Sequence, residues 1–116
     1  MSLTGKTVLI LEDEPIVAMC LEDMLLETGA QVVVSASVAQ ALAAIGQASP
    51  DCAVLDVNLH GEKSYPVAAR LDELGVPFVF ATGYGNAEHP DQFAGCATIT
   101  KPYRFVDIRQ NLECGD

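Results

Sequence analysis

Four polar positions stand out because each closes or follows a short apolar run. Glu12-Asp13 follow Val8-Leu9-Ile10-Leu11, and Asp56 ends Cys52-Ala53-Val54-Leu55. Thr82 ends Phe78-Val79-Phe80-Ala81, and Lys101 follows the stretch from Ala97 to Thr100. Carboxylates crowded together at Glu12, Asp13 and Asp56 repel one another, and a hard divalent cation relieves the repulsion. Mg2+ is the usual choice where carboxylates meet a phosphoryl oxygen. A carboxylate also serves as a nucleophile toward phosphorus, giving an aspartyl phosphate. Charge on the transferring phosphoryl group is then met by a metal, an ammonium and a hydroxyl donor. In that chemistry Asp56 is the nucleophile, Lys101 the ammonium and Thr82 the hydroxyl. Taken singly each residue has a plainer role, since acids at strand ends cap helices and Lys-Pro marks a turn. The chemistry requires that the elements bring all of them to one edge.

Those elements are legible from hydrophobic periodicity. Asp51 to Asp56 is too short for a helix and is bounded by Pro50 and by Asn58, His60 and Gly61, which predicts a buried parallel strand. Lys6 to Leu11 reads as a first strand, Gln31 to Ser35 as a second, Val76 to Ala81 as a fourth and Ala97 to Thr100 as a brief fifth. Between them, Pro15 opens a helix with Val17, Cys20, Leu21 and Met24 at helical spacing, and Gly29 stops it. Ser37 and Gln40 give a capping-box signal for a helix through Val38, Ala41, Leu42 and Ile45. A loop around Gly61 leads to a helix with Val67, Leu71 and Leu74 on one face, ended by Gly75. Phe105, Ile108 and Leu112 set the inner face of a last helix. Gly83, Gly85, Pro90 and Gly95 punctuate the segment after Thr82, so a helix between Asn86 and Phe93 is expected to be short or irregular. Strands alternating with helices predict an α/β fold, a doubly wound five-stranded parallel sheet in the order 2-1-3-4-5. In such a sheet, ligands bind beyond the carboxyl ends of the strands, where strand order reverses.

Length and composition exclude several classes. The 116 residues suit one domain, and half of them are hydrophobic, which argues against disorder. The formal net charge of −10 argues against direct nucleic-acid binding, because a phosphate backbone would be repelled. No apolar run approaches a membrane span, and the first residues lack a basic region followed by a long apolar stretch, so no signal peptide is expected. A cytoplasmic location is expected. Cys20, Cys52, Cys96 and Cys114 have no paired spacing and are expected to be reduced thiols.

The chain resembles the receiver domain of two-component response regulators over essentially its whole length. The residues that carry the resemblance are Val8-Leu9-Ile10-Leu11-Glu12-Asp13-Glu14-Pro15, the strand to Asp56, Thr82 after an apolar strand, and Lys101-Pro102. The resemblance implies a flavodoxin-like (βα)5 fold and a Mg2+ site served by Glu12, Asp13 and Asp56, with Asp13 the closer ligand of the first two. It further implies that the backbone carbonyl of Asn58 contributes to that site and that the Lys101-Pro102 bond is cis. The phosphoryl group is expected from a phosphohistidine on a sensor histidine kinase or histidine phosphotransfer protein. A narrower resemblance lies in Pro77-Phe78-Val79-Phe80-Ala81-Thr82-Gly83-Tyr84, which is similar to the atypical PFxFATGY receivers, often stand-alone domains. Residues 1–116 are accordingly expected to form a single receiver domain with no output domain. It would signal through a downstream protein or drain phosphate from a kinase.

One departure is clear. Ordinary receivers place Tyr or Phe three residues before the lysine, and this chain has Thr98 there. The weakly patterned segment from Gly83 to Gly95, with Tyr84, is expected to carry the conformational change instead. Two rival readings remain: an aspartate-nucleophile phosphatase of the haloacid dehalogenase type and a receiver-like module that is never phosphorylated. The first needs an acid two residues after the nucleophile, where this chain has Asn58.

Overall fold

A computed structural model describes residues 3–83, Phe93 and residues 96–112. The elements run β1 (Thr7–Leu11), α1 (Pro15–Glu27), β2 (Gln31–Ser35), α2 (Val38–Ala48), β3 (Cys52–Asp56), β4 (Asn58–Leu59), β5 (Glu62–Lys63), α3 (Tyr65–Glu73), β6 (Phe78–Thr82), β7 (Thr98–Thr100) and α4 (Phe105–Asn111). Five parallel strands form one sheet in the order β2-β1-β3-β6-β7. This is the doubly wound order expected from the sequence, with β6 and β7 as the fourth and fifth strands. The stretch expected as a loop around Gly61 is instead a small antiparallel hairpin, β4 against β5. Its two-residue strands are too short to leave a periodic signal in the sequence.

The sheet divides the core in two. Along β1, Val8 and Ile10 join a cluster with Leu21, Leu25, Val54, Ile108 and Leu112, whereas Leu9 and Leu11 join Ala41, Ile45, Leu55, Leu71 and Phe80 on the other face. The alternation is the two-residue period of a strand buried on both sides. All five residues of β3 are buried.

Local signals behave largely as their chemistry dictates. Pro15 sits in the first turn of α1, and Gly29 takes φ +87° just beyond it. Ser37 Oγ accepts the Gln40 N–H at 3.2 Å. The Gln40 side chain reaches back to the Ala36 N–H at 2.9 Å, one residue earlier than a capping box requires. Three expectations are corrected. Leu74 is the C-terminal cap of α3 and is exposed, so Val67, Ala68 and Leu71 make the inner face. Phe105, at the first position of α4, is exposed with the Arg109 guanidinium 5.8 Å from its ring centre, while Ile108 and Leu112 are buried. Cys20 faces solvent as a free thiol, Cys96 is free, and Cys52 is not a thiol but part of a disulfide whose partner lies outside the described residues. The expected irregular helix between Asn86 and Phe93, and Tyr84 with it, also lies outside the described residues, apart from Phe93 itself. Among the described residues no helix is long and apolar enough to cross a membrane.

Phe80 is the largest fully buried side chain and meets Tyr65, Phe78 and Phe93 with ring centres 5.4–5.7 Å apart, each edge to face. Phe80→Ala is expected to lower stability by about 3–5 kcal/mol. Ser37→Ala, which removes one capping bond, should cost about 1 kcal/mol. Urea unfolding with an unchanged slope checks both.

Candidate functional site

Strand register builds the site. Leu11 of β1 faces Leu55 of β3, so the next residues, Glu12 and Asp56, leave adjacent strands side by side. Asp56 faces Ala81 of β6, and Thr82 faces Thr100 of β7, so Thr82 and Lys101 follow on the same edge. Main-chain bonds hold this rim together: Glu12 N–H to the Ser35 carbonyl at 3.0 Å, Val57 N–H to Ala81 at 2.9 Å and Lys101 N–H to Thr82 at 2.8 Å. The Lys101-Pro102 peptide bond is cis, as the resemblance implied.

The side chains converge. Lys101 Nζ lies 2.7 Å from Glu12 Oε1 and 3.1 Å from Asp56 Oδ2. Glu12, Asp56 and Thr82 are almost wholly buried. Asp13 is more open, and one oxygen from each of Glu12, Asp13 and Asp56 lies within 4.8 Å of the others. Three carboxylates offering hard oxygen donors at this spacing fit a divalent cation of the Mg2+ type. One of their negative charges is matched by the Lys101 ammonium. Asn58 lies two residues beyond Asp56 on β4, and its side-chain carbonyl accepts a hydrogen bond from Lys63 Nζ. With Asp13, Glu14, His60 and Glu62 it lines an open cleft of about 520 Å³ beside the acids.

Electrostatics follow from this packing. Burial raises the Asp56 carboxyl, and the hydrogen bond and charge of Glu12 raise it further; Lys101 opposes them, and the result is a pKa of about 7. Burial lowers Lys101, but its bonds to Glu12 and Asp56 outweigh that and hold the ammonium above its ordinary value. Asp13 behaves in the opposite way to Asp56. Burial raises it, yet the His60 N–H and the His60 ring together bring it below the usual carboxylate value.

Two contacts escaped the sequence. Tyr103 is buried with its hydroxyl 3.4 Å from Glu12 Oε1. Burial and the charges of Glu12 and Asp56 push that phenol far up. The available signal was its type, since a buried tyrosine directs its hydroxyl to a partner. His60 bonds Asp13 from the β4–β5 turn through both its main-chain N–H and its ring. A lone histidine in a short loop gives no such signal.

The family model for the response regulator receiver domain matches residues 8–113. The chain belongs to this family. The receiver domain is 31% identical to the transcriptional regulatory protein TcrA of Mycobacterium tuberculosis, over 94% of this chain and 45% of that protein. It thus spans about half the length of the curated relative it matches. Among solved structures, it is similar to SdrG from Sphingomonas melonis Fr1, at 38% identity and a TM-score of 0.80, covering 96% of this chain and 95% of that one. The BeF3-activated conformation of SdrG, from Pseudomonas melonis Fr1, gives 40% identity and a TM-score of 0.77, with 94% and 92% covered. The receiver domain of the PhyR response regulator from Erythrobacter litoralis gives 27% and 0.76, with 93% and 87% covered. Receiver domains act generally as phosphoacceptors and typically bind Mg2+ at an acidic pocket, and the three acids form such a pocket here.

The raised Asp56 pKa has a definite sign in stability. Between about pH 4 and 7 the folded state holds a proton that the unfolded chain has lost. In chelator, the stability contributed by this group is therefore present below pH 4 and lost as pH rises toward 7. Urea titrations across that range should show the decline, and Asp56→Asn should flatten it.

Proposed function

We propose that this receiver domain takes a phosphoryl group onto Asp56 from a sensor histidine kinase or histidine phosphotransfer protein. The carrying observation is the Asp56 carboxylate at the β3 terminus, 3.1 Å from the Lys101 ammonium and grouped with Glu12 and Asp13. In the step, an Asp56 carboxylate oxygen forms a bond to phosphorus as the N–P bond of phosphohistidine breaks. The imidazole nitrogen departs with the electron pair and takes a proton. Asp56 must be ionised to attack, and Lys101 favours its ionised form. After transfer, the ammonium is in place to pair with a phosphoryl oxygen, and the Thr82 hydroxyl at the end of the neighbouring strand serves as the second donor. Asp13, Asp56 and the Asn58 carbonyl are the proposed holders of Mg2+, with Glu12 alongside. The ion, when bound, neutralises phosphoryl oxygens in transfer.

Glu12 carries a second duty in this reading. Its carboxylate lies nearer to Lys101 than Asp56 does, so it keeps the ammonium at the site in either phosphorylation state. The hydrolase alternative is disfavoured by Asn58, which occupies the position of the required second acid and whose side chain is engaged by Lys63. The SdrG relative adopts a BeF3-activated conformation, which supports an activatable acceptor here as well. The output is a changed protein surface offered to a partner, or removal of phosphate from a kinase, in the cytoplasm.

With Mg2+ and acetyl phosphate, the protein is expected to gain one acid-labile phosphoryl group, read by intact mass. Asp56→Asn should abolish it while circular dichroism stays unchanged; persistent labelling of that variant would overturn the assignment. Lys101→Ala should slow labelling by about a hundredfold, the loss typical of a donor aimed at developing charge. Steady release of phosphate from monoesters without a stable adduct would favour the hydrolase instead.

A further inference from the structure

Asp13 is the most accessible of the three acids, and a carboxylate in that position can rotate freely unless something holds it. One residue does so twice. The His60 main-chain N–H donates to Asp13 Oδ2 at 2.9 Å, and His60 Nδ1 contacts the same oxygen. The imidazole side chain is 86% exposed, so core packing does not place it there. The turn that carries it is itself fixed. Leu59 is buried, Ser64 N–H bonds the Val57 carbonyl at 3.2 Å, and the Glu62 carboxylate accepts the Val38 N–H at 3.1 Å from the first turn of α2.

We propose that His60 is a positioning residue for Asp13, setting the affinity of the site for divalent cations by occupying one carboxylate oxygen and leaving the other for the ion. The inference rests on the reading of Asp13 as a cation ligand. Groups that hydrogen-bond a ligating carboxylate fix its orientation, and their removal typically weakens metal binding by about 10–100-fold. The neutral ring with its proton on Nδ1 is sufficient as donor, so the effect does not require a charged histidine. The ring also makes the β4–β5 hairpin part of the cation site, although no residue of the hairpin other than Asn58 was expected to belong to it.

Calorimetric titration of the whole chain with Mg2+, and paramagnetic titration with Mn2+, test the proposal without any activity readout. His60→Ala keeps the main-chain donor and removes only the ring; it should bind both ions about tenfold more weakly. His60→Asn, whose amide nitrogen stands near the place of Nδ1, should recover most of the loss, which a general loosening of the turn would not allow. Asp13→Ala separates the two levels of the argument. If it binds as tightly as the native chain, the cation-ligand reading falls and this inference with it. If it loses binding while His60→Ala binds like the native chain, or more tightly, the site stands and the role of His60 is overturned.

Discussion

The arrangement depends on one ammonium group between two buried carboxylates. Strand register forces Glu12 and Asp56 together at the edge where β1 and β3 end, and neither has much access to water. At an effective dielectric constant near 20, two like charges about 4 Å apart repel by about 4 kcal/mol. Lys101 meets both at salt-bridge distance and converts the repulsion into a bridged triad. The relief is partial, and Asp56 still titrates near neutrality. In the proposed transfer that residual tension suits the acceptor. A carboxylate fully neutralised by a tight partner would attack poorly, whereas Asp56 shares its cation with Glu12 and gains from any further positive charge.

Much of this was legible because strand ends are the most readable feature of a parallel sheet. The apolar runs to Leu11, Leu55 and Ala81 located Glu12, Asp56 and Thr82, and the doubly wound order placed them on one edge. Sequence could not say that Glu12 would stand closer to Lys101 than Asp56 does, because that depends on side-chain reach across a register. Helix faces were less secure at their ends. Leu74 and Phe105 fit the period of their helices but lie at terminal positions, where the chain turns away from the core and the apolar face has nothing to cover. The hairpin was missed for a related reason: two-residue strands carry no alternation. His60 and the Tyr103 hydroxyl were missed because their partners are 47 and 91 residues away.

The place where an ordinary receiver keeps its pivoting ring shows a different division of labour. Thr98 pairs in register with Phe80, whose ring points to the opposite face from Ala81 and Val79. The aromatic volume on this side of the chain is gathered into Phe78, Phe80, Phe93 and Tyr65, with Tyr65 stacked on Phe93 at 5.7 Å. Phe80 is two residues before Thr82 on the same strand. By the two-residue period of the strand, Thr82 and Phe80 stand on the same face of the sheet, above this aromatic layer.

A second route out of the site runs through hydrogen bonds, not through packing. The β4–β5 hairpin touches Asp13 through His60 in its turn and the first turn of α2 through Glu62 at the start of β5. Glu62 places a negative charge at the N-terminus of α2, the favourable end of the helix dipole, and supplements the cap from Ser37. Whatever repositions the Asp13 carboxylate consequently acts on a short, mostly exposed ribbon that also anchors a helix start. The ribbon has few buried contacts apart from Leu59, so these bonds add to the anchoring by Leu59 and by the Ser64 N–H to Val57 bond. The His60 contact thus ties the hairpin to Asp13, and the hairpin lies on the surface beside the cleft that Asp13, Glu14 and Asn58 line.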